Sequence, residues 1–298
     1  MLLGAYFRKA AYLVRLSRRR EITLGSYTYR TTGFFVNSLA LQESSETCEP
    51  WLDVVYQTAL KCKQGAFLDV GANIGQTMLK VLALDKTRQY VGFEPQVLCC
   101  SLIQSFIEEN GLKYHTILPL GLSNRNQLAK LHIRGGQCDV TASMVENVRP
   151  GSFYTSDRYI CVRRGDELVT ELKISFVSVI KIDVEGAELE VMEGLLTTIR
   201  EKKPSLVFEV LNHYLVITGE KLDHRVIRFR ESRIERIEAL LRGEGYQIYN
   251  VLPGNVLKRV RKIQPAMSRD LSITSYVAVS HLDVGSFLQA FPGTVQDS

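Results

Sequence analysis

From Ala66 onward, short apolar segments alternate with amphipathic segments of helical spacing, and this alternation constrains the fold more than any other feature. Ala66–Val70, Tyr90–Glu94 and Val177–Asp183 are predicted strands that end in turn or acidic residues, as buried parallel strands do. Ile74–Leu84 and Gln96–Glu109 have the spacing of helices. Strands that alternate with helices predict an α/β fold with a parallel sheet and right-handed crossovers.

The same patterns predict the remaining elements. The further predicted strands are Tyr114–Leu120, Gln127–Ile133, Tyr159–Arg163, Ser205–Val210, Tyr246–Val251 and Thr274–Ser280. The further predicted helices are Asp166–Leu172, Ala187–Arg200 and Arg230–Arg242. Because no helix is predicted between the last two strands, we expect them to form an antiparallel pair.

Residues 1–64 are predicted to be an extension of a single domain that covers residues 65–298. Met1–Val14 is interrupted by charges and Arg15–Arg20 is basic, which fits neither a membrane span of about 20 apolar residues nor a signal peptide. We expect a basic helix that docks on protein, and peripheral contact with an anionic membrane is the alternative. Ile22–Val36 has the pattern of a hairpin and Pro50–Cys62 that of a helix.

Composition narrows the class of protein. With 298 residues, of which 45% are hydrophobic and 23% charged, the chain can bury one large core. Its net charge of +5 permits an anionic partner but does not require one. The six cysteines show no C-x-x-C spacing, so we predict no zinc site and reduced thiols in a cytoplasmic protein.

The segment Asp69–Gly75 lies between a predicted strand and a predicted helix. Its glycines allow a tight turn and a close approach of backbone to a ligand, and the helix behind it presents unpaired N–H groups. A dinucleotide-binding turn has the pattern G-x-G-x-x-G, whereas this one has G-x-x-x-G with Asp69 two residues ahead of it. An acid there would repel pyrophosphate but suits the cationic amino-acid end of S-adenosylmethionine.

Glu94 ends the next predicted strand. A carboxylate at that position can accept two hydrogen bonds from a ribose diol. The turn and this acid together predict that an adenosyl nucleoside binds at the carboxyl ends of the strands.

Acidic residues also end two later core strands. An apolar strand delivers Asp183 to the reactive side of that site, and Glu185 and Glu188 are predicted in the first turn of the next helix, where acids are favourable. Glu209 ends a neighbouring strand and His213 follows in the loop. Asp183 and Glu209 could orient a hydroxyl, hold a divalent cation or share a proton, while His213 is a base that titrates near neutral pH. No residue is assigned to a metal.

Five segments together resemble the FkbM-type methyltransferases. They are Asp69–Gly75, Phe93–Pro95, Leu118–Asn124, Arg164–Leu172 and Ile180–Gly194. The resemblance implies a class I methyltransferase fold, which is a Rossmann-like, mostly parallel seven-stranded sheet with helices on both faces, here with an N-terminal helical and hairpin extension. It also implies S-adenosylmethionine as cofactor and hydroxyl groups of natural products or sugars as acceptors. The implied cofactor contacts are Asp69, Gly71, Asn73, Gly75, Glu94 and, near the adenine, Ser123 or Asn124.

We therefore expect transfer of a methyl group to an oxygen of a sugar, glycan, lipid or other small natural product. Alignment of the reactants would supply much of the rate, and Asp183 would act as the base, assisted by Glu209 or His213. The Gly-, Thr- and Ser-rich loop Gly135–Thr155 is expected to cover the acceptor as a lid.

Three alternatives stay open. A nicotinamide-dependent oxidoreductase would share the fold, but the glycine spacing differs and no Tyr-x-x-x-Lys relay is found. An RNA methyltransferase would suit the positive charge, but a base-flipping Asn/Asp-Pro-Pro-Tyr tetrad is absent. A nucleoside-binding module without catalysis would not be expected to keep the acids and glycines of the site. No DNA partner is expected, and the sequence leaves the oligomeric state open.

Overall fold

The computed structural model describes residues 19–24, 26–32, 49–136, 138–149, 151–212, 217–218, 221–222, 224–268 and 270–297. Its strands are β1 (Arg19–Leu24), β2 (Tyr27–Thr32), β3 (Ala66–Val70), β4 (Tyr90–Phe93), β5 (His115–Leu118), β6 (Gly121–Ser123), β7 (Gln127–Ile133), β8 (Ser156–Arg164), β9 (Val177–Ile182), β10 (Ser205–Glu209), β11 (Ile217–Thr218), β12 (Lys221–Leu222), β13 (Tyr246–Leu252), β14 (Val256–Arg259), β15 (Ser275–Ser280) and β16 (Thr294–Gln296). Its helices are α1 (Trp51–Cys62), α2 (Gln76–Leu84), α3 (Val97–Glu109), α4 (Gly165–Glu171), α5 (Glu188–Gly194), α6 (Leu196–Lys202), α7 (His224–Gly243) and α8 (Val284–Ala290).

The central sheet has nine strands in the order β16-β14-β13-β15-β10-β9-β3-β4-β5. Neighbours from β10 to β5 are parallel, whereas β15 pairs antiparallel with both β10 and β13, as predicted for the last two strands. The predicted number of seven is wrong, because β14 and β16 extend one edge beyond the seven predicted strands. Both are short and largely exposed, so they lack the buried apolar pattern from which a strand is predicted.

Helices cover both faces of this sheet, as predicted. Consecutive residues of a strand point to opposite faces, so Val179 and Ile180 of β9 belong to two different hydrophobic clusters. Helices α1, α2, α3 and α8 pack on the first cluster, and α4 to α7 pack on the second. This double coverage explains why the central strands read as continuous apolar runs.

Several local predictions are confirmed with changed bounds. The strands β1 and β2 form the predicted antiparallel hairpin, and α1 matches the predicted helix near Pro50. The predicted helix Ala187–Arg200 is instead two helices, α5 and α6, which meet at Leu195. The predicted basic helix lies outside the described residues, except that the last two residues of the basic run, Arg19 and Arg20, belong to strand β1. The domain boundary after residue 64 stays a prediction. Within the described ranges, no helix has both the length and the apolarity that a membrane crossing requires.

The order of the strands places a cleft at the centre of the sheet. From β3 the chain moves outward through β4 and β5, and it later returns to β9 on the opposite side of β3. Ligands of open α/β sheets bind at such a reversal, outside the carboxyl ends of the strands. A second, three-stranded sheet of order β6-β8-β7 carries the loop that faces this cleft.

Candidate active site

A cavity of about 360 Å³ opens at the carboxyl ends of β3, β4, β9 and β10. Its lining includes Gly71, Glu94, Asp183 and Glu209, which lie at or just beyond the ends of these four strands. Its volume lies in the range of small-molecule sites. The sequence-predicted acids and the glycine turn therefore surround one space.

The turn after β3 requires glycine at position 71. Gly71 has φ +83°, and a Cβ there would lie 1.9 Å from the backbone oxygen of Asp183. Asn73 also has a left-handed backbone, with φ 45°. The turn thus brings the backbone of β3 against the end of β9 and exposes Gly71 and Asn73 to the cavity.

Glu94 is buried, and both of its carboxylate oxygens accept backbone hydrogen bonds. The backbone N–H of Asn73 donates to Oε2 at 2.9 Å and that of Gln96 donates to Oε1 at 2.8 Å. Burial raises the pKa of Glu94 to about 7, although these two hydrogen bonds oppose the shift. Glu94 lines the cavity and is joined to the Gly71 turn through Asn73.

Asp69 lies beneath the cavity and does not line it. Its side chain is fully buried, accepts a hydrogen bond from the Tyr90 hydroxyl at 2.5 Å and lies 3.5 Å from Lys181 Nζ. Lys181 Nζ also donates to the backbone oxygen of Gly71 at 3.0 Å and lies 3.2 Å from Asp183. Burial lowers the pKa of Lys181, but the neighbouring carboxylates outweigh it and raise the pKa. Asp69 and Lys181 therefore hold the turn and Asp183 in place.

Three other predicted cofactor residues lie away from the cavity lining. Gly75 is the N-cap residue of α2, and a Cβ there would lie 3.0 Å from the Ile103 side chain of α3. Ser123 is buried at the end of β6, and Asn124 Nδ2 donates to Glu193 at 2.7 Å. The strand that carries Ser123 instead contributes its first two residues, Gly121 and Leu122, to the cavity.

Three carboxylates converge on the opposite side of the cavity. Oxygens of Asp183, Glu185 and Glu209 all lie within 4.8 Å of one another, which is close enough to share a divalent cation or a proton. Thr274 Oγ1 donates to Glu209 at 2.9 Å, and Glu185 forms an ion pair with Arg149. Burial, together with the charges of Asp183 and Glu185, raises the pKa of Glu209 well above its usual range.

The structure separates the roles of Glu185 and Glu188, which the sequence predicts in one helical turn. Helix α5 begins at Glu188, whose Oε1 accepts the Gly186 N–H at 3.0 Å; this acid therefore stabilises the turn that leads into the helix, and it lies in the first helical turn, where an acid is favourable. Glu185 precedes the helix with φ 53° and lines the cavity. Gly186, with φ +103°, completes the sharp backbone turn that directs Glu185 toward the cavity.

Glu49 is a site residue that sequence reasoning missed. It lines the cavity, its Oε1 lies 3.4 Å from Ser275 Oγ, and its backbone oxygen accepts a hydrogen bond from Lys80 Nζ at 2.8 Å. Burial and the charge of Asp183 raise its pKa to about 7. No local motif marks it, because it precedes α1 rather than following a strand.

The loop Gly135–Thr155 contributes to the wall of the cavity, and it is fastened to the end of β4. The side-chain amide of Gln96 exchanges two hydrogen bonds with the backbone of Asp139, at 2.9 and 2.8 Å. Arg149 and Phe153 from the same loop line the side near Glu185. His213, the third predicted catalytic residue, lies outside the described residues.

Comparison with known proteins gives the family. A family model described as the methyltransferase FkbM domain matches residues 69–248, which include the turn, Glu94, Asp183 and Glu209. No curated protein matches the chain in sequence.

Three solved methyltransferases illustrate the structural likeness. The FkbM methyltransferase of Methylobacillus flagellatus is 17% identical, with 72% of this chain and 43% of that chain covered and a TM-score of 0.43. The O-methyltransferase of Bacillus cereus, solved in complex with SAH, is 12% identical, with 83% and 90% covered and a TM-score of 0.45. The precorrin-6y C5,15-methyltransferase of Geobacter metallireducens is 10% identical, with 77% and 86% covered and a TM-score of 0.39.

This chain spans less than half the length of the Methylobacillus protein. At these identities the solved structures identify no acceptor, so the assignment depends on the family model and on the residues it spans. The match covers more than half of the chain and confirms the resemblance found in the sequence. The chain belongs to the FkbM methyltransferase family.

Proposed function

We propose that the protein is an S-adenosylmethionine-dependent O-methyltransferase that acts on a hydroxyl group of a sugar, glycan, lipid or other small natural product. One observation carries the proposal: a single cavity joins the Gly71 turn and Glu94 on one side to Asp183 and Glu209 on the other. The first side suits a nucleoside and the second offers a base. An enzyme that transfers a group from a nucleoside cofactor to a hydroxyl needs both sides within one space.

The residues on the nucleoside side fit the proposed cofactor. Glu94 would accept hydrogen bonds from the ribose, while the backbone of Gly71 and Asn73 would face the amino-acid end. Asp69 would not contact the cofactor directly. It would act through Lys181, which pairs with both Asp69 and Asp183. When bound, S-adenosylmethionine supplies an activated methyl group on a sulfonium.

Asp183 is the proposed base. Its side chain is 34% exposed, so an acceptor hydroxyl can reach it, and Lys181 Nζ lies 3.2 Å from its carboxylate and helps to fix its position. The hydroxyl proton would pass to a carboxylate oxygen of Asp183 as the oxygen takes up the methyl group. A positioned base of this kind contributes about 10²–10⁴-fold to the rate.

The cofactor claim is tested by isothermal titration with S-adenosylmethionine, S-adenosylhomocysteine and NAD. We expect micromolar binding of the first two, no binding of NAD, and loss of binding in Glu94→Ala. Glu109→Ala removes an exposed glutamate at the end of α3 and is the matched control. Binding of NAD alone would overturn the proposal in favour of an oxidoreductase.

The base is tested after a screen of hydroxylated sugars and lipids has found an acceptor. Asp183→Asn is expected to lower kcat by about 10²–10⁴-fold while the affinity for S-adenosylhomocysteine stays within about twofold. Unchanged kcat in this variant would remove Asp183 from the mechanism and leave Glu209 or His213 as the base.

A further inference from the structure

Two arginines and a phenyl ring meet on the acceptor side of the cavity. Arg134, Arg149 and Phe153 all line it. The Cζ atoms of Arg134 and Arg149 lie 4.8 and 4.7 Å from the centroid of the Phe153 ring. Both guanidinium groups are thus held by contact with one aromatic ring.

Arg149 keeps unused hydrogen-bonding capacity although it is buried. Its residue is 5% exposed, and it pairs with one carboxylate, that of Glu185. Its Nε has no hydrogen-bond acceptor among the described residues and is itself inaccessible to solvent. A guanidinium has five N–H donors, and an unpaired buried donor costs free energy, so this position favours a ligand that brings an acceptor.

Apart from its contact with the Phe153 ring, the Arg134 guanidinium forms neither an ion pair nor a hydrogen bond with the described residues. Asp139 is the acid nearest to it in sequence, but its carboxylate is already satisfied by the backbone N–H groups of Arg134, Gly135 and Thr141 and by the Thr141 hydroxyl. Both arginines line the cavity; Arg149 is paired with Glu185, which lies beside Asp183 and Glu209, whereas no described carboxylate pairs with Arg134.

We propose that Arg134, Arg149 and Phe153 form a subsite for an anionic group, a carboxylate or a phosphate, carried by the acceptor. The inference rests on the proposed methyltransferase function and narrows its acceptors to anionic ones. Arg149 contacts Glu185, and Glu185 lies beside Asp183, so the anionic group binds close to the hydroxyl that is methylated. Guanidinium groups suit such ligands because they bind planar oxyanions with two parallel hydrogen bonds.

The test uses inorganic phosphate and acetate as probes, because both are small enough to enter the subsite whatever the rest of the acceptor is. Each is titrated calorimetrically into the full chain, with and without saturating S-adenosylhomocysteine, with chloride holding the ionic strength constant. We expect saturable binding of at least one anion and an affinity that is about tenfold lower in Arg134→Gln. Arg125→Gln, which removes an exposed arginine outside the cavity lining, should leave the affinity unchanged.

Arg149→Gln is the second variant, and we expect the same roughly tenfold loss of anion affinity. Because this substitution leaves Glu185 without its ion-pair partner, the folding of the variant is checked by circular dichroism. Arg134 has no such partner among the described residues, so its variant keeps the test decisive if Arg149→Gln does not fold. Binding of phosphate alone would indicate an acceptor that carries a phosphate group, and binding of acetate alone would indicate an acceptor that carries a carboxylate. Equal affinities in wild type and Arg134→Gln, or no saturable binding, would overturn the subsite. The two proposals can fail independently. Absence of S-adenosylhomocysteine binding would contradict the proposed function, whereas the anion subsite is tested by the titrations done without S-adenosylhomocysteine.

Discussion

The two sides of the cavity are built in different ways. On the cofactor side, one turn and the end of the next strand supply the site, and Glu94 is tied to Asn73 by a backbone hydrogen bond. On the acceptor side, Glu49, Arg149, Asp183 and Glu209 come from four separate segments of the chain. A site made of consecutive residues can be identified from its spacing, whereas a site assembled by tertiary packing cannot. We therefore expect the largest loss of stability from substitutions in the turn of the cofactor side, and smaller effects from single residues of the acceptor side.

The largest effect is expected from Gly71→Ala on the cofactor side. The new Cβ would lie 1.9 Å from the backbone oxygen of Asp183, and the residue would keep φ +83°. Neither strain can be relieved without separating β3 from β9. We expect a loss of about 5 kcal/mol or more in the free energy of unfolding, or failure to fold, as measured by urea denaturation.

Gly111→Ala is the matched control for that prediction. Gly111 also has a positive φ, +58°, but nothing lies within 4 Å of its missing Cβ. The control should lose only about 1–2 kcal/mol, from backbone strain alone. Similar losses in the two variants would show that the close approach to Asp183 does not determine the turn.

The next effect concerns Lys181, which connects the two sides. Lys181→Met removes the single ammonium group that pairs with both the fully buried Asp69 and Asp183. We expect a loss of about 3–5 kcal/mol in the free energy of unfolding, because an unpaired charge stays buried. Adding Asp69→Asn should recover part of this loss, and a double-mutant cycle measures the coupling. Additive effects of the two substitutions would contradict the pairing.

The sequence predicted those parts of the molecule that depend on local pattern. The seven central strands, the turn around Gly71 and the strand-end positions of Glu94, Asp183 and Glu209 follow from apolar periodicity and glycine spacing. The edge strands β14 and β16 were missed because exposed strands carry no buried pattern. Glu49 and Arg149 were missed for another reason: they enter the cavity through long-range packing that leaves no spacing to recognise.

A smaller effect should appear in how the stability of the ligand-free protein depends on pH. Burial raises the pKa of Glu94 from 4.5 to about 7, and that of Glu188 likewise. Between pH 4.5 and about pH 7, these carboxyl groups have lost their protons in the unfolded chain but keep them in the folded protein. The free energy of unfolding therefore falls as pH rises through this range and levels off above about pH 7. The contribution of Glu94 is on the order of 3 kcal/mol. Urea denaturation at several values between pH 5 and pH 8 should show a shallower fall in Glu94→Gln, and an unchanged slope would contradict the assignment.

The smallest effect that we predict concerns Glu49, which joins the site from outside the matched family region. Its carboxylate shares the cavity with Asp183, and the repulsion between them is part of what raises its pKa to about 7. A cationic ligand offsets that repulsion, so above pH 7 Glu49→Gln should weaken S-adenosylmethionine binding by about tenfold. S-adenosylhomocysteine lacks the sulfonium charge and should lose less. Glu109→Gln, which removes an exposed acid at the end of α3 outside the cavity lining, is the control in the same titrations. Equal losses for the two ligands would place Glu49 near their shared amino group, and no loss for either would show that this acid, like Asp69, serves the structure of the site alone.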